Sequence, residues 1–349
     1  MTIGNRWMCL IDAAELAALA AMPDAAFVLR SRRGYLPDSA VNRAFANTLR
    51  ERPEEAGMFG PPIVLSSRSP HWEPDRAGGS GLLGLAGVEC LDGFQRLVTM
   101  AHLIRELSPA HLSRAVLWVV VVTGEDIDRA RELCDESAHH INPLEPQDNL
   151  ARCPHLLRVQ EEFRREGGFF DPRRGIVSGP HPVGFTPADV FRSLAALSPA
   201  PRPYLTNHLQ TEDGLKELWS DIDSPVYRSL VHEGVREISI QRAVEARRST
   251  QAKIAELFKR NSKGHWKLLQ YAPELVTWTA CRKLPLETLH DGSAPGWMDL
   301  IRRQLPAETE RVAHLLVSAY VRLRPSDSKF KFAAPTLDLW SELLDDVQP

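Results

Sequence analysis

The run Leu91-Asp92-Gly93-Phe94-Gln95-Arg96 places a carboxylate, a glycine, an amide and a guanidinium side by side. It follows Gly87-Val88-Glu89-Cys90-Leu91, which reads as a strand. It precedes a helix expected from about Phe94 to Leu107, with Leu97, Met100, Ala101 and Ile104 on one face. Glycine at such a junction permits a tight turn and lets a ligand approach the amides that follow. The first N–H groups of a helix lack intrahelical acceptors and lie at the positive end of its dipole, so they favour an anion such as phosphate. Arg96, within that first turn, would reach the same anion with a bidentate fork. Asp92 would hold a metal ion or a substrate hydroxyl, with Glu89 the weaker candidate, and Gln95 would orient a water or a base. A plainer role exists for the motif: Asp before a helix often serves only as its cap.

The elements that must position these residues alternate through the first half of the chain. Ala26–Leu29 is a short candidate strand, and Val41, Ala44, Phe45 and Leu49 have helical spacing. Pro61–Ser66 reads as a strand, and the glycine- and serine-bearing stretch Ser69–Gly84 as a mobile loop. Leu117–Thr123 is a continuous apolar run of the kind buried on both faces. Thr123-Gly124-Glu125-Asp126 fits a capping box for a helix reaching about His139, and another helix starts near Cys153-Pro154. Phe169–Gly175 reads as a turn between two short strands. From about Thr186 the pattern is helical throughout. The expected fold is therefore α+β: a mixed α/β domain over residues 1–185 and an all-helical domain over 186–349, with Ser198–Pro203 the sharpest linker candidate.

Composition excludes several classes. The 349 residues are 43% hydrophobic and 25% charged, with 45 acidic against 42 basic side chains and a net charge of −3. Those values do not fit a disordered chain, a collagen or a strongly basic nucleic-acid coat. The odd count of five cysteines, without CxxC spacing, argues for a reducing cytoplasm. Asp12 and Glu15 interrupt the N-terminal apolar stretch, which reads as an amphipathic helix rather than a signal peptide, and the Ala115–Val122 run is too short to span a bilayer. A soluble cytoplasmic protein is expected. P-loop, His-Glu-x-x-His and Gly-x-Ser-x-Gly motifs are absent from the sequence.

The Asp92-Gly93-x-x-Arg96 motif between strand and helix resembles the DGQHR and DGQQR motifs of the ParB/sulfiredoxin-like superfamily. Neighbouring segments are similar to one branch of it, the abortive-infection phage-resistance (AIPR) proteins. Ser31–Leu36, Val41-Asn42 and Thr48-Leu49 resemble that family's opening, Thr123–Val159 its Asn- and Gln-bearing stretch around Asn142, and Phe169–Arg174 its "yyyErkrg" segment. The likeness covers roughly residues 26–175. Gly60-Pro61-Pro62 stands where the family has Asn-Asn-Gly, and Phe94 stands where DGQHR relatives are polar. The resemblance implies a ParB/sulfiredoxin-like N-terminal domain that binds ATP or another nucleotide with Mg²⁺. Gly93, Phe94, Thr99, Arg33, Asn42, Asn142, Arg173 and Arg174 would surround the phosphates, and Asp92, Gln95 and Arg96 would carry any hydrolysis or phosphotransfer, with Asp92 on the metal. A phage-defence context comes with the resemblance alone.

Two other functions remain open at this point. Ser224–Gln270 holds ten Lys or Arg against four Glu, and Arg242, Arg247, Arg248, Lys259 and Lys263 would form a phosphate-backbone surface for DNA or RNA in a non-catalytic regulator. The acidic stretch Asp338–Asp346 would pair with that surface inside the protein. Alternatively, the scaffold serves specialised metabolism on a small phosphorylated substrate. Cys134, His139, His140, Cys153 and His155 match no usual zinc spacing, and Cys90 is better read as a buried strand residue than as a reactive thiol. A homo-oligomer is a further expectation.

Overall fold

The computed structural model describes residues 2–22, 34–75, 80–141, 145–175, 184–324 and 330–347. The chain is α+β, with a small mixed sheet in the N-terminal region and helices through the C-terminal half. It divides into two compact units, Met1–Leu144 with Arg173–Ile176, and Glu145–Pro172 with Val177–Pro349.

In the first unit, β1 (Thr2–Ile3) and β2 (Arg6–Asp12) lead into helix α1 (Ala13–Ala20), whose first amides are capped by the Asp12 carboxylate. Helix α2 (Ala40–Glu51) is capped by the Ser39 hydroxyl. Strand β3 (Ile63–Ser66), the hairpin β4–β5 (Ser69–Pro74 and Gly81–Ala86) and β6 (Glu89–Asp92) then lead into α3 (Phe94–Leu103). After β7 (Val116–Val122), helix α4 (Asp126–Ile141) closes the unit. The main sheet runs β1-β2-β7-β3-β6. Strand β7 is antiparallel to β2 and parallel to β3, and β3 is antiparallel to β6 with a register shift at Val64/Leu65. Leu117, Val119 and Val121 alternate inward onto Leu16, Phe45, Leu49, Leu65, Leu97 and Met100 to form the core.

Four expectations change here. Arg6–Asp12 is a strand, not part of an amphipathic helix, because it pairs with β7 along its whole length. Ser69–Gly84 falls largely within a hairpin whose registered pairs include Trp72 with Leu83. Strand β7 is covered on one face only, since Val116 is 41% and Trp118 49% exposed. The Thr123 hydroxyl bonds the Asn5 carbonyl at 3.1 Å rather than capping α4. The proposed strand Ala26–Leu29 lies outside the described residues.

The second unit contains α5 (Pro154–Arg165), the two-residue parallel strands Phe169–Phe170 and Gly184–Phe185, α6 (Pro187–Ala196), α7 (Tyr204–Leu209), α8 (Glu212–Ser220), α9 (Pro225–Leu230), α10 (Glu237–Arg260), α11 (Pro273–Cys281), α12 (Leu305–Leu323) and α13 (Leu337–Val347), with short turns between them. Leu156, Val159, Phe163 and Phe170 share one core with Phe191, Trp278, Tyr320 and Trp340. That shared core is why the division falls at Leu144/Glu145 and not near residue 185. Ser198–Pro203 is accordingly an internal loop between α6 and α7. No helix among the described residues is long and apolar enough to cross a membrane.

Candidate functional site

The junction between β6 and α3 is built around Gly93. Its φ of 94° is left-handed, and a Cβ there would stand 2.9 Å from Ile63 Cγ1 on β3. Only glycine meets both demands without displacing the strand. The Asp92 carboxylate accepts the Gly93 amide at 2.7 Å, and the helix proper starts at Phe94 with no side-chain cap. No described residue accepts from the amides of Phe94, Gln95 or Arg96. Beside them lies the half-buried Arg96, whose Nη1 donates to the Phe59 carbonyl at 3.1 Å; no other described group takes up its remaining donors. Burial draws the Arg96 pKa below its ordinary value, and the nearby Asp92 carboxylate works against that shift. The arrangement is one of amide dipoles without acceptors among the described residues beside a partly desolvated cation, which suits an incoming anion.

Around the other side of α3 the predicted residues converge, although in a framework role. Gln95 Oε1 accepts from the Leu36 amide at 3.0 Å and from Asn42 Nδ2 at 2.8 Å, while its Nε2 donates to the Gly34 carbonyl at 2.7 Å. Asn42, 2% exposed, also donates to the Leu36 carbonyl. Thr99 is buried, and its hydroxyl lies 2.8 Å from the Gln95 carbonyl and 3.3 Å from the Tyr35 hydroxyl. The Tyr35 ring stacks on His102 with centroids 4.7 Å apart. The Arg174 carbonyl accepts from the Gly34 amide at 2.6 Å, which fixes Arg173 and Arg174 beside the same loop. Gln95, Asn42 and Thr99 therefore tie residues 34–36 to the helix. Both acceptor sites of the Gln95 amide and one of its two donors are in use, so the side chain is held in the framework rather than aimed at a ligand. Phe94 is half-buried and packs on the core. Arg33 and Asn142 lie outside the described residues.

Sequence reading missed Gly60, whose φ is 83° and whose added Cβ would sit 3.8 Å from Arg96 Nη1. Its neighbour Phe59 supplies the carbonyl that holds Arg96. The visible signal was Gly60-Pro61-Pro62 in place of the expected Asn-Asn-Gly. Cys90 is 5% exposed, and burial, aided by Asp92, drives its thiol pKa far up, which leaves it inert.

A magnesium ion would find one carboxylate here, Asp92, next to a guanidinium. No group of three His, Cys, Asp or Glu able to hold a metal occurs among the described residues. Such an ion would depend on phosphate oxygens for most of its coordination.

The basic stretch Ser224–Gln270 does not gather into one surface. Arg242 is 3% exposed and donates to the carbonyls of Thr288, Leu289, Asp291 and Ala294. Arg247 pairs with Glu274 at 2.5 Å, with side-chain exposures of 16% and 7%. Arg248 pairs with Glu245 and the Gly184 carbonyl and lies over the Phe185 ring. Arg228, Arg236, Lys253 and Arg260 each face a carboxylate. Lys259 and Lys263 are exposed and, with Lys267, are the members for which no partner occurs among the described residues. The acidic C-terminal stretch pairs elsewhere: Asp346 with Arg322, Glu342 with Arg324 and Asp345 with Arg202.

The chain matches no protein-family model, no curated protein and no solved structure.

Proposed function

We propose that the N-terminal unit binds a nucleotide, with its phosphates seated on the amides of Phe94–Arg96 and on the Arg96 guanidinium. The observation that carries this is the combination at one helix start: a left-handed glycine, uncapped amides, and a half-buried arginine with donors to spare. The Asp-Gly-x-x-Arg order between a sheet strand and a helix, the bond of Asn42 to Gln95 on that helix, and the bond of the Arg174 carbonyl to Gly34 in the adjoining loop support a ParB/sulfiredoxin-like reading, with the AIPR proteins as the branch resembled. Magnesium would enter with the phosphates. Asp92 is the carboxylate placed to contact it or to take part in phosphoryl transfer.

The test is a thermal-shift screen of ATP, CTP, GTP and their di- and monophosphates with Mg²⁺, followed by calorimetric titration of any hit. Arg96→Ala should weaken binding by about 1.5–3 kcal/mol, roughly ten- to 150-fold, because charge-assisted contacts are lost. Unchanged affinity in a folded Arg96→Ala protein overturns the assignment. Phosphate release in the same samples, lost in Asp92→Asn while binding persists, would identify the carboxylate with catalysis.

A further inference from the structure

The first unit contains a concave site away from the start of α3. A cavity of about 580 Å³ opens between α1, the β4–β5 hairpin and the leading end of β6. Its volume falls in the range of small-molecule pockets. Leu16 and Leu65, 2% and 0% exposed, lie at its base. Leu19 on α1 and Leu83 and Leu85 on β5 form apolar walls. The hairpin presents them by strand alternation: Leu83 and Leu85 are half-buried, whereas Leu82 between the strand start and Leu83 is 68% exposed.

Arg68 stands at the mouth of this cavity, and the local backbone holds it there. Its amide donates to the Ala86 carbonyl at 2.9 Å, and the neighbouring Ser67 hydroxyl bonds both the carbonyl and the amide of Ala86. Gly87, at φ 62°, leaves room for the side chain: an added Cβ would come within 2.9 Å of Arg68 Nε and 3.0 Å of Cδ. The arginine stem thus lies across a glycine at a hydrogen-bonded corner. Two carboxylates also line the rim, Glu89 and Glu15. Glu89 is bonded to Arg131 at 3.0 Å, and Glu15 sits in the first turn of α1, where the helix dipole favours a negative charge. No ion pair to Arg68 occurs among the described residues.

We propose that this cavity binds a small amphipathic carboxylate, its apolar body between α1 and the hairpin and its carboxylate paired with Arg68. Leucine walls supply the affinity for the body, and Arg68, which has no ion pair among the described residues, selects the sign of the head group. This site is independent of the nucleotide reading.

Titration of the full chain with decanoate, decan-1-ol and decyltrimethylammonium, followed by calorimetry and native mass spectrometry, tests the idea. Decanoate should bind saturably at one per chain, more tightly than the alcohol, with the cation weakest. Arg68→Gln, at an exposed position, should weaken decanoate about tenfold or more and leave decanol unchanged. Leu83→Gln should weaken both, and Arg96→Ala neither. Failure of decanoate to saturate, equal binding of the cation, or unchanged decanoate affinity in Arg68→Gln overturns the assignment.

Discussion

Arg242 in the C-terminal unit directs its two terminal nitrogens at four backbone carbonyls and lies 5.3 Å from the centre of the Trp297 ring. Arg282 does the same for the end of α6, donating to Ala196 and Ser198 at 2.8 and 2.5 Å while stacking on Trp278. Arg96 in the N-terminal unit has a single carbonyl partner among the described residues. The first two satisfy carbonyls that a helix end or a loop would otherwise leave orphaned in a dry interior. Their charge belongs to the fold. At Arg96 the fold has already desolvated part of the guanidinium without completing its hydrogen bonds, which is the condition under which an external anion gains most. Burial drags Arg282 down to about 10 and lowers Arg96 as well, so a perturbed cation alone does not tell the two situations apart. The inventory of partners does.

Substitutions can break this contrast in order of size. Arg242→Met should cost about 3–5 kcal/mol in urea denaturation, because it strands several buried carbonyls. An effect below about 1 kcal/mol would mean those carbonyls find other donors. Gly93→Ala should cost about 2–3 kcal/mol from left-handed backbone strain and the contact with Ile63, and it should abolish nucleotide binding at the same time. Arg248→Ala, at a 47%-exposed side chain, should shift stability by no more than about 0.5 kcal/mol and leave any nucleic-acid affinity unmoved, which a gel shift would check.

Acid sharpens the same comparison for a buried histidine. His290 and His232 meet edge to face at 5.0 Å, and His290 Nδ1 is buried without a partner. Burial, then proximity to His232, lowers the His290 pKa from its usual 6.5. The unfolded chain therefore takes up the proton first. The stability contributed by neutral His290 is complete above about pH 6.5 and is lost as pH falls through the lower folded value. Melting temperatures at about pH 7.5 and about pH 5.5 should differ more in the wild type than in His290→Leu.

Much of the N-terminal unit was legible because its signals are local. The helix after Gly93, the helix carrying Val41, Ala44, Phe45 and Leu49 and the strand at Ile63–Ser66 each follow from a few adjacent residues. Strand β2 was misread because Trp7–Ile11 is a short continuous apolar run, and periodicity does not distinguish a buried strand from a helix there. The hairpin was misread because Gly and Ser composition marks turns, whereas pairing across Trp72 and Leu83 is a partnership between segments. The site itself was half legible. Gly93 and Arg96 lie together at the start of the helix, as their spacing implies, but Gln95 and Asn42 proved to bind each other.

The sequence by itself determined the charge balance, the helical character of the C-terminal half and the strand–glycine–helix junction, since each depends on composition or on contacts within a few residues. Only the tertiary structure decided which basic side chains are spoken for. Arg242 reaches Asp291, Arg247 reaches Glu274 and Arg236 reaches Glu162, all across long stretches of chain. A cation's availability depends on the acceptors that packing brings to it, and spacing along the chain does not encode that.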